Sequence, residues 1–506
     1  MFFCRIVGNS LKKIIYNSFL FISFGPIFFS FEAHASESTV KDHTAIFISE
    51  EETIFMTDSN FAKRRPNIML FSCSYGAGHK MASQGIKESL PDCTIQLLDI
   101  YEEPLKSLDL LGSISPQLSN QKIYNEMAKN EQNRWLNFIA KMAPQALLWQ
   151  REKVESLLSA FISEHKPDML ISCTPLVNTM LLEVAKQFHI PLLVVTTDID
   201  ISAFCYGLDP QSEFLENQFR MTVPYAEDSW KNLFSKHHSQ AIQQAFQYSF
   251  GYPTRRAFAE QIDASMLDQL RTEYEIKQDE NIILVMMGGN TAQAAQIYAK
   301  LLLGMPNDAL DQILGNDFAR PKIHLICLCG DISQKQNHSL MTQLNQLNLS
   351  FYRQNNRVRI HGCPGTVKIA ELVSLPELRT VISKPGGSTV NEMIKKKMPM
   401  VYHISDTPLD WERGNMTYGE ARHLGMHFQT SGKIDAKMRT KLADVLTYTF
   451  SLHKHMRSGK DGVPEAKIDF SQNLRKTANQ MLHPNSLSLN APQLERNLPL
   501  KHATLK

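Results

Sequence analysis

Short apolar runs separated by helix-length segments recur along this chain, and the pattern restarts near its middle. The runs lie at residues 67–72, 94–100, 169–173 and 191–196, and then at 281–287, 323–329, 358–361, 380–383 and 399–403. Strands that alternate with helices form parallel sheets, because each crossover helix returns the chain to the same end of the sheet. The sequence therefore predicts an α/β protein with two parallel sheets.

Length and composition fit two ordinary globular domains. A chain of 506 residues exceeds a single hydrophobic core. Its 43% hydrophobic and 21% charged residues exclude collagen-like, coiled-coil and wholly disordered classes. The net charge of +2 gives no general attraction to nucleic acid, so we expect no such partner. We predict an N-terminal domain over residues 66–250 and a C-terminal domain over residues 251–455.

The two ends of the chain differ from its middle in composition. Lys12 and Lys13 precede an uncharged, largely apolar run at residues 14–31, and Ala33-His-Ala35 follows that run. This pattern is typical of a signal peptide, and the run is also long enough for an uncleaved membrane anchor. We predict such a segment over residues 1–35, a linker over 36–65, and a C-terminal helix with a disordered tail over 456–506.

Glycine-bearing loops follow three of the apolar runs. The glycines, in chain order, are Gly76 and Gly78, Gly288 and Gly289, and Gly386 and Gly387. Turns of this kind leave backbone N–H groups at helix N-termini free to bind anions. A tight turn from a strand to a helix also needs glycine for steric reasons alone, so both interpretations stay open for the first two loops.

The third of these loops carries the strongest signal for a ligand. Gly386 and Gly387 allow close approach to the backbone. Ser388 and Thr389 can donate hydrogen bonds to a diphosphate, whose charge the helix dipole favours. Glu392, one turn later, can accept bonds from two ribose hydroxyls. The alternative makes Ser388 a plain N-cap and Glu392 a solvated acid of the first turn.

Five motifs occur in the order found in one known family. They are Tyr75-Gly-Ala-Gly-His79, Gly251-Tyr-Pro253, Met287-Gly-Gly289, Ser383-Lys-Pro-Gly-Gly-Ser-Thr389 and Glu412-Arg-Gly-Asn415. With them the chain resembles the monogalactosyldiacylglycerol synthase and processive diacylglycerol glucosyltransferase family, over roughly residues 66–450. The resemblance extends more distantly to the N-acetylglucosaminyltransferase of peptidoglycan lipid-intermediate synthesis. It implies the GT-B fold, in which two Rossmann-like domains face a central cleft.

The resemblance implies a lipid acceptor on the N-terminal domain and a nucleotide-sugar donor on the C-terminal domain. The residues implied at the donor are Gly288, Gly289, Gly386, Gly387, Ser388 and Thr389 for phosphate, Glu392 for ribose, and Glu412 and Asn415 for the sugar. Those implied at the acceptor or at a phosphate are Gly76, Gly78 and Arg255. A structural ion pair is the alternative for Arg255. Trp411 stands where relatives often have glutamine, so the hexose stays open.

Two residues resemble the family's catalytic groups. His79 matches the histidine of the first glycine loop, and its imidazole could take a proton from the acceptor hydroxyl. Thr197-Asp198 matches a Thr-Asp pair at a strand end, so Asp198 either orients His79 or is itself the base. The eight cysteines show no zinc-binding spacing. Because inverting transferases of this fold need no metal, we expect neither a metal nor a cofactor.

We predict an inverting transferase that moves galactose or glucose from a UDP-sugar to diacylglycerol. Two alternatives share the fold, namely an N-acetylglucosaminyltransferase acting on a polyprenyl-linked precursor and a UDP-sugar epimerase. A third alternative is an exported binding or effector protein without turnover.

A lipid acceptor requires a surface that meets the membrane. The segment 135–149 mixes aromatic and aliphatic residues with lysine and predicts an interfacial helix, although its Leu136 and Ile139 would also suit a buried one. We expect a membrane-associated enzyme whose catalytic domains lie in the cytosol, where UDP-sugars are made. The signal-like segment instead allows export, because Lys12 and Lys13 would place the following domain outside.

Overall fold

The computed structural model describes residues 64–484. Gaps within that range lie at 110–111, 113–114, 116–118, 210–217, 226–243, 278–279, 289–293, 316–321, 352–356, 431–433 and 458–462. The predicted signal or anchor segment, nearly all of the predicted linker, Gly289 and the tail beyond residue 484 therefore lie outside the described residues.

The N-terminal domain contains one six-stranded parallel sheet. Its strands are β1 (Asn67–Ser72), β2 (Thr94–Asp99), β3 (Met169–Ser172), β4 (Leu192–Val194), β5 (Phe219–Thr222) and β6 (Phe246–Gln247). They pair in the order β2-β1-β3-β4-β5-β6. The described helices that follow them are α1 (Ala77–Ser89), α2 (Asn120–Lys129), α3 (Asn133–Trp149), α4 (Arg151–His165) and α5 (Asn178–Gln187).

The C-terminal domain repeats this architecture. Its strands are β7 (Glu280–Met286), β8 (Lys322–Leu328), β9 (Val358–Cys363), β10 (Leu378–Ser383), β11 (Met400–Ile404) and β12 (Gly425–Gln429). They pair in parallel as β9-β8-β7-β10-β11-β12, which is the 3-2-1-4-5-6 order of dinucleotide-binding sheets. The described helices are α6 (Ala264–Glu273), α7 (Ala295–Leu303), α8 (Asn307–Leu314), α9 (Lys335–Phe351), α10 (Ile369–Leu372), α11 (Gly387–Lys395), α12 (Asp410–Ala421) and α13 (Ala436–Arg457).

Both faces of each sheet are buried, which explains why the strands are continuous apolar runs. In β1, Met69 and Phe71 belong to the core on one face of the sheet. Ile68 and Leu70 point to the other face and belong to a second core. Successive side chains of a strand alternate between faces, so a strand covered by helices on both sides carries no polar alternation. Every apolar run predicted as a strand forms one.

The last described helix, α14 (Phe470–Leu482), returns to the N-terminal domain. Leu474, Ala478 and Met481 lie at helical spacing and pack into the core that contains Ile68. Helix α14 follows the second sheet in the sequence, yet it contributes to the hydrophobic core of the first sheet.

The C-terminal helix predicted within residues 456–506 is preceded by a shorter element. Pro464–Lys467 forms a short 3-10 helix. The α-helix begins after Asp469, whose carboxylate accepts a hydrogen bond from the backbone N–H of Gln472 at 2.9 Å. An aspartate in this position satisfies one of the free N–H groups of the first turn, and it fixes where the helix begins.

Each sheet has a switch point, where the chain leaves neighbouring strands in opposite directions. It lies between β1 and β3 in the first sheet and between β7 and β10 in the second. Ligands of such sheets bind beyond the carboxyl ends of the strands at these points. The two switch points meet across the domain boundary, because the Ser388 hydroxyl donates to the Gly78 carbonyl oxygen at 2.8 Å. Two doubly wound sheets facing one cleft confirm the predicted fold class.

Among the described residues, no helix is both long enough and apolar enough to cross a membrane. The predicted anchor at residues 1–35 lies outside them, so it stays a prediction.

The position of α14 generates a stability prediction. Leu474 is fully buried against the first sheet, so Leu474→Ala should lower the free energy of unfolding by about 2–5 kcal/mol. Urea unfolding followed by circular dichroism measures the change. Leu97 on β2 is 39% exposed, and the matched Leu97→Ala should cost much less. Equal and small effects of both substitutions would show that α14 does not stabilise the first domain.

Candidate active site

Two helix N-termini that lack side-chain caps meet at the cleft. Helix α1 follows Gly76, whose φ of 91° is one that residues with a side chain rarely adopt. Helix α11 follows Gly386. Neither helix has an N-cap side chain that accepts a hydrogen bond from its first-turn N–H groups, and neither has an acidic residue in that turn. Their free N–H groups and dipoles therefore favour an anion bound between the two domains.

The two domains approach each other closely at Gly387. A β-carbon at this position would overlap the carbonyl oxygen of Thr197 and lie 2.9 Å from Oδ1 of Asp198. Only glycine fits here without movement of one domain. The contact brings the predicted residues Gly78, Asp198, Gly387 and Ser388 together at one point.

His79 lies in the first turn of α1 with its ring orientation fixed. Its Nδ1 is 3.0 Å from the carbonyl oxygen of Cys173 and 3.0 Å from Oγ1 of Thr197. A carbonyl oxygen can only accept, so Nδ1 carries the hydrogen and Nε2 is left to accept a proton. Burial lowers the pKa of His79, but the nearby Cys73 and the Asp198 carboxylate outweigh it, and the pKa rises to about 9.

Asp198 follows β4 and lies beside the N-terminus of α11. Its Oδ1 accepts a hydrogen bond from Nδ2 of Asn415 at 3.1 Å. Burial raises the pKa of Asp198 to about 7, and the neighbouring Glu412 adds to the rise while His79 and Asn415 oppose it. A carboxylate with this pKa changes its charge near neutral pH, which is a property of catalytic acids and bases.

Asn415 bonds to groups of both domains. Its side chain is 0% exposed. The amide nitrogen donates to Asp198 and to the Pro385 carbonyl oxygen at 3.1 Å, and the amide oxygen accepts from the backbone N–H of Ile199 at 2.9 Å. The amide thereby has three partners within the protein, and the contact of Asn415 with the donor sugar stays a prediction. Asn415 holds Asp198 and the loop before α11 in place.

Glu412, one turn earlier on α12, is partly buried in the same region. Burial raises its pKa, and the nearby Lys384 amine opposes the rise. The contact of Glu412 with a donor sugar stays a prediction.

Glu392 and Arg255 form a buried, bidentate ion pair. The guanidinium donates to both carboxylate oxygens, at 2.7 and 3.0 Å, and Glu392 is 4% exposed. Burial raises the pKa of Glu392, and Arg255 opposes the rise. The interpretation of Glu392 as a solvated acid is therefore wrong, and the structural ion pair considered for Arg255 is present. Each carboxylate oxygen of Glu392 keeps a lone pair. The contact of Glu392 with ribose and that of Arg255 with phosphate or acceptor therefore stay predictions.

The interpretation of Ser388 as a plain N-cap is also wrong. The N-cap of α11 is Gly386, and the Ser388 hydroxyl is directed to Gly78 and to Tyr252. Thr389 is partly exposed on the same first turn. The contact of Thr389 with phosphate stays a prediction.

The remaining predicted glycines lie at the openings of their loops. An added β-carbon would meet no atom within 4 Å at either Gly76 or Gly288, so both positions border open space. Gly288 has a φ of 70° and follows β7, while the next residues lie outside the described part of the chain. Ser383 donates to the Met286 carbonyl oxygen at 2.6 Å, which holds the ends of β10 and β7 together.

Three groups that fix this geometry were not predicted from the sequence, namely Tyr252, Cys173 and Asn137. The Tyr252 hydroxyl donates to the Thr197 carbonyl oxygen at 2.8 Å. Asn137 accepts from the backbone N–H of Asp410 at 2.9 Å and donates to the Pro408 carbonyl oxygen, and so joins α3 to the start of α12. Of the three, only Tyr252 lies in a motif, Gly251-Tyr-Pro253. No sequence signal reveals the other two, because their partners lie far away along the chain.

Helix α3 has one buried face and one exposed apolar face. Leu136 and Asn137 are buried, so the buried-helix interpretation holds for one side. The exposed face carries Trp135, Phe138, Met142 and Trp149, and the two tryptophans are 44% and 53% exposed. These four residues lie at i, i+3, i+7 and i+14, which places them along one side of a helix.

Metal ligands were not expected, and the described ranges contain no group of three or more His, Cys, Asp or Glu residues that could hold an ion. Metal independence itself stays a prediction.

Comparisons with known proteins agree with the resemblance. A scan against models of protein families finds no match. The chain is 23% identical over 406 residues to monogalactosyldiacylglycerol synthase 2 of Arabidopsis thaliana, covering 77% of this chain and 76% of that protein. It is 20% identical over 393 residues to the processive diacylglycerol beta-glucosyltransferase of Bacillus cereus, covering 75% and 87%.

Among solved structures, MurG of Acinetobacter baumannii matches with a TM-score of 0.46 and 12% identity, covering 81% of this chain and all of that one. The curated relatives support a glycosyltransferase. The predicted resemblance of this chain to the monogalactosyldiacylglycerol synthases and processive diacylglycerol glucosyltransferases is thus confirmed, at low identity but over most of its length.

Proposed function

We propose that this protein is an inverting glycosyltransferase that moves galactose or glucose from a UDP-sugar to diacylglycerol. The observation that carries the proposal is the meeting of two uncapped helix N-termini beside His79 and Asp198. Such a point suits a diphosphate, and a proton acceptor lies next to it. The names of the relatives supply the sugar and lipid classes.

The donor would bind mainly to the C-terminal domain. The free N–H groups of the first turn of α11 would contact the diphosphate, together with the hydroxyls of Ser388 and Thr389. Glu392 would accept bonds from the ribose hydroxyls while Arg255 keeps its carboxylate charged. Glu412 faces the same region and would contact the hexose.

The acceptor hydroxyl would attack the anomeric carbon from the side opposite the diphosphate. The new carbon–oxygen bond forms as the bond to the diphosphate breaks, so the anomeric configuration inverts. The hydroxyl proton passes to Nε2 of His79, because Nδ1 is held by Cys173. Asp198, when ionised, offsets the charge of the resulting imidazolium.

The exposed face of α3 would bring the acceptor within reach by contacting the bilayer. Tryptophan and phenylalanine side chains suit the interface between lipid and water. The cations Lys141 and Arg134 on the same helix are paired with Asp410 and Asp406 of the C-terminal domain, at 3.1 and 3.0 Å. We therefore attribute membrane contact to the apolar face rather than to these charges.

Purified full-length protein should transfer labelled hexose from a UDP-sugar to diacylglycerol in vesicles. Glu392→Ala should raise the donor KM at least about tenfold, because one bidentate ribose contact is lost. A matched Glu260→Ala, which removes an exposed surface ion pair with Arg256, should leave it unchanged. Transfer of N-acetylglucosamine to a polyprenyl-linked precursor, or interconversion of UDP-sugars without a lipid, would replace the proposal. Unaltered donor kinetics of Glu392→Ala would remove the ribose assignment.

The pH dependence of kcat/KM tests the base. Both groups act unprotonated, so the rate should rise with pH through about 7, where Asp198 ionises, and further toward about 9, where His79 loses its proton. Asp198→Asn removes a charge that raises the pKa of His79, so the upper inflection should move to lower pH. A His79→Ala variant that keeps activity with one inflection near pH 7 would assign the base to Asp198 instead.

Membrane contact is tested by vesicle sedimentation. The triple variant Trp135→Ser, Phe138→Ser and Trp149→Ser should bind neutral phospholipid vesicles at least about tenfold more weakly, since three exposed apolar side chains are lost. Val367 is 87% exposed on the other domain, and Val367→Ser is the control that should bind like the wild type. Equal binding by the triple variant would contradict the role of α3.

A further inference from the structure

The chain passes from the first domain to the second at residues 251–255, a segment that we call the crossing. A tyrosine in the crossing contacts both sides of the cleft. Tyr252 is buried, and its hydroxyl lies 2.8 Å from the Thr197 carbonyl oxygen and 3.1 Å from Oγ of Ser388. Gly251 before it has a φ of 85°, and Pro253 after it disfavours a helical backbone at Tyr252. The crossing therefore presents this hydroxyl to the N-terminus of α11 from a restricted backbone.

The contacts of the two hydroxyls outnumber their hydrogens. Ser388 and Tyr252 together have two hydroxyl hydrogens. Each of their three contacts requires a hydrogen from one of these hydroxyls, because the carbonyls of Thr197 and Gly78 can only accept. One contact is therefore without a hydrogen at any moment. Gly78 lies in the first turn of α1, where its carbonyl also accepts the helical bond from residue 82. The hydrogen of Ser388 can thus leave Gly78 at low cost.

We propose that Tyr252 is a positioning residue that holds the end of β4 against α11 and leaves the hydrogen of Ser388 free for the donor diphosphate. The inference deepens the proposed function and rests on it. Tyr252 keeps its hydrogen on Thr197, and Ser388 turns from Gly78 to a phosphate oxygen, which is the stronger acceptor because it is charged. Burial raises the pKa of Tyr252 well above its usual value, so the hydroxyl stays a donor.

The same crossing also holds a second donor-binding group. Arg255 pairs with Glu392, and Ser388 and Glu392 are four residues apart, which places them on one side of α11. Residues 252 and 255 thus position the two side chains that we assign to phosphate and ribose. These two contacts tie the crossing to α11.

Calorimetric titration of the full chain with UDP tests this inference. Tyr252→Phe keeps the ring and removes only the hydroxyl, and it should weaken UDP binding about tenfold. In the background of Ser388→Ala, the same substitution should have a much smaller effect, since the two hydroxyls act together. Tyr418→Phe is the control, because it removes another buried hydroxyl, whose hydrogen-bond partner at 2.7 Å is the Glu465 carboxylate rather than Thr197 or Ser388, and it should leave UDP affinity unchanged.

The outcomes separate the inference from the function on which it rests. Wild-type affinity in Tyr252→Phe, or equal losses with and without Ser388, would overturn the positioning role while leaving UDP as the donor. Equal weakening by Tyr418→Phe would assign the effect to general destabilisation and also overturn it. Absence of UDP binding by the wild type would overturn the proposed donor and the inference together.

Discussion

The approach of α11 to the end of β4 is the contact on which the rest of this site depends. Gly387 lies so close to the Thr197 carbonyl that no larger residue fits. This contact sets the N-terminus of a C-terminal helix beside the loop that carries Asp198, and through Ser388 it also reaches α1. Neither domain alone contains all the residues of the proposed site. The switch points of the two sheets supply the groups that we propose for phosphate binding and for proton acceptance separately, and the contact between the domains brings them together.

Buried polar groups maintain this arrangement at a cost to stability. Asn415 uses its amide on three partners, and Glu392 is withdrawn from water against a partly buried Arg255. Buried ion pairs contribute little net stability because desolvation offsets their attraction. Burial likewise raises the pKa of Asp198 to about 7. Between about pH 4 and pH 7 the unfolded chain therefore releases a proton that the folded protein keeps, and the free energy of unfolding falls over this range. We attribute the retention of these groups to the geometry that they impose on the cleft.

Much of the fold could be predicted from the sequence, because buried parallel strands are continuous apolar runs. The strands that were missed lack this signal. Strand β6 has only two residues, and β12 is an edge strand with three exposed positions. Strand β5 contains Arg220, whose charge is accommodated by Gln480 of α14 at 2.9 Å. No local pattern reveals a partner 260 residues away.

The candidate site was predictable only where a sequence motif is of a kind that binds ligands. The glycine loops, His79 and Asp198 could be found, and the structure brings them together. The contacts of Tyr252 and Asn415 could not, because each side chain bonds to backbone groups of the opposite domain. A side chain that holds another residue has no spacing of its own in the sequence. Its function follows from tertiary contacts alone.

The central claim is that the N-termini of α1 and α11 form one site for a diphosphate. Hydrogen exchange followed by mass spectrometry, with and without UDP, tests it most directly. The account predicts slower exchange on UDP binding both in the first turn of α11, at residues 387–390, and in the loop and first turn at residues 76–80. Protection confined to one domain, or protection elsewhere with these two segments unchanged, would contradict it.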